Sequence, residues 1–302
     1  MHVHALKEPL EKLYRTYDVR HLSSDPLLLV HDFSRPEDQE VAGLIAAVFA
    51  YGRVAQILKT VKTILERMEA PPYEFISGFQ LKRDARRFKG IVHRFNNEAD
   101  ILCLLYGIKE VLRRYGSLKA LFLKGYSSGH SDIRPALTNF VDTFLNLDYS
   151  SITGHAAHSK NGGLRFLFPS PRNRSACKRL NMYLRWMVRR DDGLDLGVWD
   201  EVDPARLIIP LDTHTFRISS RLGLTRRKSA DWASAQEITR NLSLLDPGDP
   251  VKYDFALARM GILGKCTLEK DPEQCKPCLL AEVCIRTMSA ARARKPAAAS
   301  RV

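Results

Sequence analysis

QEVAGLIAAVFAYGRVAQILKTVKTILERM, residues 39–68, decides the fold class. Its apolar residues recur at helical spacing, and Gly52 near its middle predicts a break between two helices. The same period returns in ADILCLLYGIKEVLRRYG (99–116), where Ile101, Leu104, Leu105, Ile108, Val111 and Leu112 line one face. Gly116 stands where a C-terminal cap belongs. SDIRPALTNFVDTFLNL (131–147), DWASAQEITRNLSLL (231–245) and DPVKYDFALARMGILG (249–264) read the same way. DTHTFRISSRLG (212–223) opens on an N-capping Asp and closes on Gly223. In SACKRLNMYLRWMVRR (175–190), Leu180, Leu184, Met187 and Val188 form the core face beside Cys177 and Tyr183, with Lys178, Arg185 and Arg189 placed elsewhere. The Gly-, Ser-, His- and Pro-rich stretch 150–173 reads as loop with a short hairpin around LRFLF. There is no internal repeat, no Gly-rich phosphate loop and no alternating strand series. The expected class is all-α.

With 302 residues, 45% apolar and 27% charged, the chain can bury a sizeable core in one large domain or two lobes. That composition excludes a fibrous repeat and a wholly disordered chain. No run approaches the ~18 apolar residues of a membrane span, and the best, GLIAAVFAYG (43–52), ends at Arg53. Charges in MHVHALKEPLEKLYR stand where an export signal needs its apolar stretch, so the expectation is a cytoplasmic protein without a membrane partner.

Lys+Arg 47 against Asp+Glu 34 leaves a net charge of +13. Residues 286–302, with Arg286, Arg292, Arg294, Lys295 and Arg301 and no acid, read as a basic disordered tail after a folded unit spanning 1–285. The body's excess is uneven. Between Asp148 and Asp191 stand Lys160, Arg165, Arg172, Arg174, Lys178, Arg179, Arg185, Arg189 and Arg190 with no acid. Between Asp212 and Asp231 stand Arg217, Arg221, Arg226, Arg227 and Lys228, again with none. Such tracts suit a phosphate backbone, whose displaced counterions make binding salt-sensitive. A solubility field or an anionic-membrane patch is the blander reading.

Cys266, Cys275, Cys278 and Cys284 are spaced C-x8-C-x2-C-x5-C. Four thiols this close in a reducing compartment point to a metal rather than to disulfides. A [4Fe–4S] cluster and zinc both accept four cysteines. A single C-x2-C flanked by lone cysteines favours the iron–sulfur cluster over zinc, whose structural sites pair two such knuckles. The loop 266–284 would then pin the C-terminus, or carry electrons. Cys103 and Cys177 fit apolar helix faces and read as core.

PLDTHTFRISSRLGL (210–224), YDFALARMGILGKC (253–266) and CKPCLLAEVC (275–284), in that order, resemble the helix-hairpin-helix DNA glycosylases of the endonuclease III and adenine-glycosylase type. The whole chain is most similar to a bacterial branch of that superfamily carrying an SACKRLNMYLRWMVR-like segment. The resemblance implies a two-lobed helical fold with a C-terminal cluster loop, acting in base-excision DNA repair on an extruded nucleotide. It implies that Asp212 is the catalytic carboxylate. By itself an Asp at a helix start is a cap worth ~1 kcal/mol, and an always-charged one suits support of a cationic sugar transition state. It further implies that Lys178 is the amine that captures C1′ in bifunctional glycosylase/AP lyases; the plainer reading is a phosphate-contacting lysine on a basic helix.

The hairpin that usually precedes that lysine is PSPRNRSAC (169–177) here, so Arg172 and Arg174 are expected to take over its phosphate. Arg179, Arg185, Arg217 and Arg221 are further expected DNA contacts. His214 reads as a DNA contact or a packing residue, Tyr51 and Arg53 mark an intercalation point, and His155 and His158 are loop histidines. The expected protein is a monomeric, nucleoid-associated binder of duplex DNA. The alternative is a non-catalytic iron–sulfur nucleic-acid-binding protein. A zinc-stabilised module for protein contacts is a third reading.

Overall fold

A central apolar helix organises the molecule. The computed structural model describes residues 3–154, 162–190, 192–266 and 272–285. Among them the helices of nine residues or more are α1 (Lys7–Thr16), α2 (Pro36–Val48), α3 (Val54–Glu66), α4 (Glu98–Tyr115), α5 (Arg134–Leu145), α6 (Lys178–Val188), α7 (Thr213–Arg221), α8 (Trp232–Ser243) and α9 (Asp254–Ile262). There is no strand among the described residues, only the isolated bridges His93–Asn96 and Ser175–Asp231. The fold is helical.

Boundaries fall where local chemistry puts them. Pro36 opens α2, a position whose N–H would be unsatisfied in any helix. The chain leaves α2 at Val48 and re-enters helix at Val54, turning through Gly52 at φ +99°, a region that side chains disfavour. Asn97 and Asp100 close a capping box on α4, and Gly116 ends it at φ +85°. Around LRFLF the expected hairpin is absent. Gly162–Leu167 is a short helix instead, because Leu164 and Leu167, one turn apart, both reach the core.

From Glu40 to Val48 every residue of α2 is buried. Glu40 lies inside because Trp199 Nε1 donates to Oε1 at 2.8 Å and the Leu118 amide to Oε2 at 3.0 Å. Helix α6 packs on α2 through Gly43, where a Cβ would stand 2.8 Å from Met187 Cε. Helix α7 packs on α9 by setting His214 directly on Gly261. The N-terminal helix closes on the C-terminal ones, with Tyr253 Oη donating to Glu11 at 2.7 Å and Lys7 Nζ to the Leu245 carbonyl at 2.7 Å. One continuous hydrophobic core runs from Leu6 to Leu280. No helix among the described residues is long and apolar enough to cross a membrane. Residues 286–302, His155, His158 and Lys160 lie outside the described residues.

Candidate functional site

The break between α2 and α3 faces the first turns of α6 and α7 across a cleft of about 560 Å3. Tyr51, Gly52, Lys178, Arg179, Asp212 and His214 line it, beside apolar Ile57 and Met182. The fold thus brings together both residues singled out for catalysis, one from each of two helix starts. Asp212 is the N-cap of α7, in extended backbone, and its Oδ1 accepts from the Thr215 amide at 2.8 Å. Lys178 is the first residue of α6, after Cys177 at φ +48°. Its Nζ lies 3.4 Å from Met182 Sδ, and among the described residues it forms no ion pair.

Arg179 builds the wall beside them. Its guanidinium donates to the carbonyls of Val48, at the end of α2, and of Phe166. It lies 5.0 Å from the Tyr51 ring centre and 4.7 Å from that of Phe166. Burial pulls its pKa down to about 10, so it stays cationic at neutral pH. Tyr51 is anchored too, its hydroxyl donating toward the His93 carbonyl at 2.8 Å and Asn96 Oδ1 at 2.5 Å.

Behind the pair stands a carboxylate that sequence reasoning missed. Asp254 opens α9, is 3% exposed, and accepts from Arg185 Nη1 at 2.5 Å. Burial pushes its carboxyl up to about 6; Arg185 and Lys178 pull against this, while the charge of Asp212 adds to it. Lys178 and Asp212 therefore both lie within range of the Asp254 charge. The available signal was an acid alone in the apolar segment DFALARMGI.

The expected DNA contacts divide. Arg53, Arg172 and Arg174 are exposed, and Arg172 pairs with Asp142 at 3.0 Å on the surface. Arg53 follows cleft-lining Gly52. Arg174 lies by the Ser175–Asp231 bridge, next to cleft-lining Ala230. Arg185 is not placed as expected. It is 3% exposed and bound to Asp195 and Asp254, so it neutralises buried acids instead of facing a polyanion. Arg189 shares that fate, paired with Asp192, Asp195 and Asp249. Arg217 Nη2 donates to the Cys266 carbonyl at 2.9 Å and Arg221 Nη1 to Cys266 Sγ at 2.8 Å, so both serve the cysteine loop. His214 lines the cleft and packs on Gly261.

Cys266 follows α9, and its amide donates to the Met260 carbonyl at 3.1 Å. Cys275, Cys278 and Cys284 follow through tight turns, with the Cys278 amide on the Cys275 carbonyl at 3.2 Å. Burial pushes the Cys278 thiol up, and Cys266, Cys275 and Cys284 each add to that shift, so those three sulfurs lie around Cys278. Among the described residues no three ligand-type side chains are drawn together as an ion-binding group. In kind the set fits an iron–sulfur cluster or zinc: four thiols, none in a disulfide, with an arginine donating to one sulfur. Cys103 and Cys177 are core residues, and burial pushes the Cys177 thiol up to about 12.

A helical protein with this cleft belongs to the family described as a protein of unknown function, DUF2400, whose model matches residues 25–263. No curated protein and no solved structure matches the chain. The match overturns the resemblance to the helix-hairpin-helix DNA glycosylases, because the family found over most of the chain is a different one. The motifs that suggested it are short and have local causes: an Asp-Thr start is ordinary N-capping, and the cysteine loop lies beyond the matched span.

Proposed function

We propose that the cleft takes an extruded nucleotide and that the chain cleaves its N-glycosidic bond, as a DNA glycosylase with AP lyase capacity. The observation that carries this reading is the meeting of Lys178 and Asp212 in one cleft walled by Arg179 and Tyr51. At about 560 Å3 it has room for a nucleotide. A flipped base would rest against the aromatic and guanidinium faces. The Asp212 carboxylate supports positive charge at C1′ as the C–N bond lengthens and the base leaves with the electron pair. The Lys178 amine, which attacks through its lone pair, bonds to C1′ and gives up a proton to the departing base. The exposed Arg53, Arg172 and Arg174 hold the flanking phosphates.

We further infer that Cys266, Cys275, Cys278 and Cys284 hold a [4Fe–4S] cluster, zinc being the alternative ligand. A bound cluster would supply folding energy to the loop that Arg217 and Arg221 tie to α7 through Cys266. An anaerobically purified iron–sulfur protein is brown and releases iron and sulfide, whereas a zinc protein is colourless.

Borohydride trapping on abasic and damaged duplexes, with wild type, Lys178→Ala and Asp212→Asn, tests the catalytic reading. Trapping by wild type and none by Lys178→Ala is expected. Trapping undiminished in Lys178→Ala removes that residue from the chemistry. A binding-only protein is favoured by one fact, that Asp212 Oδ1 is already engaged as a cap; it would show salt-dependent affinity and no turnover on any lesion.

A further inference from the structure

The turn 92–97 rises beside the cleft and has no part in the chemistry above. His93 and Asn96 are both 0% exposed and close it reciprocally, His93 N on Asn96 O at 2.8 Å and Asn96 N on His93 O at 2.9 Å. Thr60 Oγ1 meets His93 Nδ1 at 2.9 Å, the Tyr51 carbonyl meets Nε2 at 3.0 Å, and Asn96 Nδ2 donates to the Gly163 carbonyl at 3.0 Å. A fully buried polar pedestal of this kind specifies one conformation. What it holds out is the pair between: Arg94, in the left-handed region at φ +52°, and Phe95, 68% exposed.

The pair is continuous with the cleft. The Arg94 guanidinium lies 5.2 Å from the Phe95 ring centre. Phe95 meets Phe166 edge-on at 5.6 Å, Phe166 meets Tyr51 at 4.8 Å, and Arg179 lies against both inner rings. Arg94 also crosses cleft-lining Gly52, where a Cβ would stand 2.9 Å from Arg94 Cδ. A file of aromatic faces interleaved with guanidinium groups therefore leads from solvent to the catalytic pair. Nucleobases stack on such surfaces whatever their sequence.

We propose that Arg94 and Phe95 form a wedge that enters the base stack of the nucleic acid held at the cleft, in place of the Tyr51–Arg53 intercalation point that the sequence suggested. This rests on the nucleic-acid reading of the cleft. Tyr51 is the inner wall, half-buried and tied by its hydroxyl. Phe95 is the outermost ring, and a phenyl group inserted between bases replaces the stacking partner that an extruded nucleotide leaves behind.

Phe95→Trp provides the probe, because Trp186, Trp199 and Trp232 are all buried and an exposed indole emits to their red. The variant is titrated with abasic duplex, intact duplex, single strand and heparin, while anisotropy of labelled ligand reports binding. The expected result is quenching by bound nucleic acids, strongest with the abasic duplex, and none by bound heparin, which has charge but no bases. Phe95→Ala should weaken duplex binding about tenfold, as loss of one stacked ring does, and leave the salt dependence of Kd unchanged. Red-edge emission that is not quenched while the duplex binds would overturn the wedge and leave the cleft reading standing. Failure of every nucleic acid to bind would overturn both.

Discussion

The two ends of α6 carry similar cations to opposite fates. At its C-terminal half Arg185 and Arg189 are 3% and 2% exposed, held by Asp192, Asp195, Asp249 and Asp254. At its start Lys178 has no carboxylate partner among the described residues and Arg179 is paired with carbonyls and rings, and both face the cleft. A run of positive charge is therefore not one surface. Where acids reach it the charge is spent inside the fold, and where none does it remains open to a ligand.

The largest effect that could break this contrast is on folding. Arg185→Ala leaves Asp254 buried without its cation and Asp195 with Arg189 alone, and should destabilise by about 3–5 kcal/mol. Urea unfolding measures it, and a loss below about 1 kcal/mol would show that the network is not structural. Lys178→Ala should fall within about 0.5 kcal/mol of wild type in the same assay, since it breaks no ion pair.

Next in size is the split at Asp212 between cap and catalyst. Asn caps a helix as well as Asp, so Asp212→Asn should unfold like wild type yet lose about 100-fold or more in single-turnover excision, the scale of one electrostatic group removed. Asp212→Ser gives the same comparison from a second capping residue. Equal activity in all three would leave Asp212 a cap alone.

A smaller effect sharpens the contrast between the buried pedestal and its exposed tip. Burial holds the His93 imidazole below its ordinary 6.5. The folded chain prefers the neutral ring, so the unfolded chain takes up the proton first as pH falls. Stability from this group is present above about 6.5 and is lost as pH drops from there toward the depressed value. The stability advantage of wild type over His93→Gln should shrink across that window, and a constant difference from pH 8 to 5 would contradict it. Smallest of all, Arg172→Ala should leave stability within about 0.5 kcal/mol and lower the salt slope of duplex binding by about one.

Much of this architecture was legible in the sequence because its causes are local. The α2–α3 break at Gly52, the Asp212 cap, Gly116 and Gly223 all act within one turn of helix. The meeting of Lys178 with Asp212 was suggested only through a resemblance that the family match replaces. The rest depended on distant partners. Arg185 and Arg189 looked like surface charge because Asp249 and Asp254 stand some 60–69 residues away, and Asp192 and Asp195 reach them only because the chain folds back on α6 after its end. Asp254 itself read only as part of the amphipathic helix over 249–264, and its role depends on Arg185 across the core. The wedge was illegible for a similar reason: nothing in VHRFNN announces that His93 and Asn96 will be buried while Arg94 and Phe95 are not.

The central claim is that the Lys178 amine at the start of α6 does chemistry on a nucleic acid. Peptide mapping of the borohydride-reduced adduct between the wild-type chain and an abasic duplex tests it most directly. The account predicts a single sugar-bearing peptide, modified at Lys178. Adducts spread over the exposed lysines, or none from a preparation that binds the duplex, would contradict it.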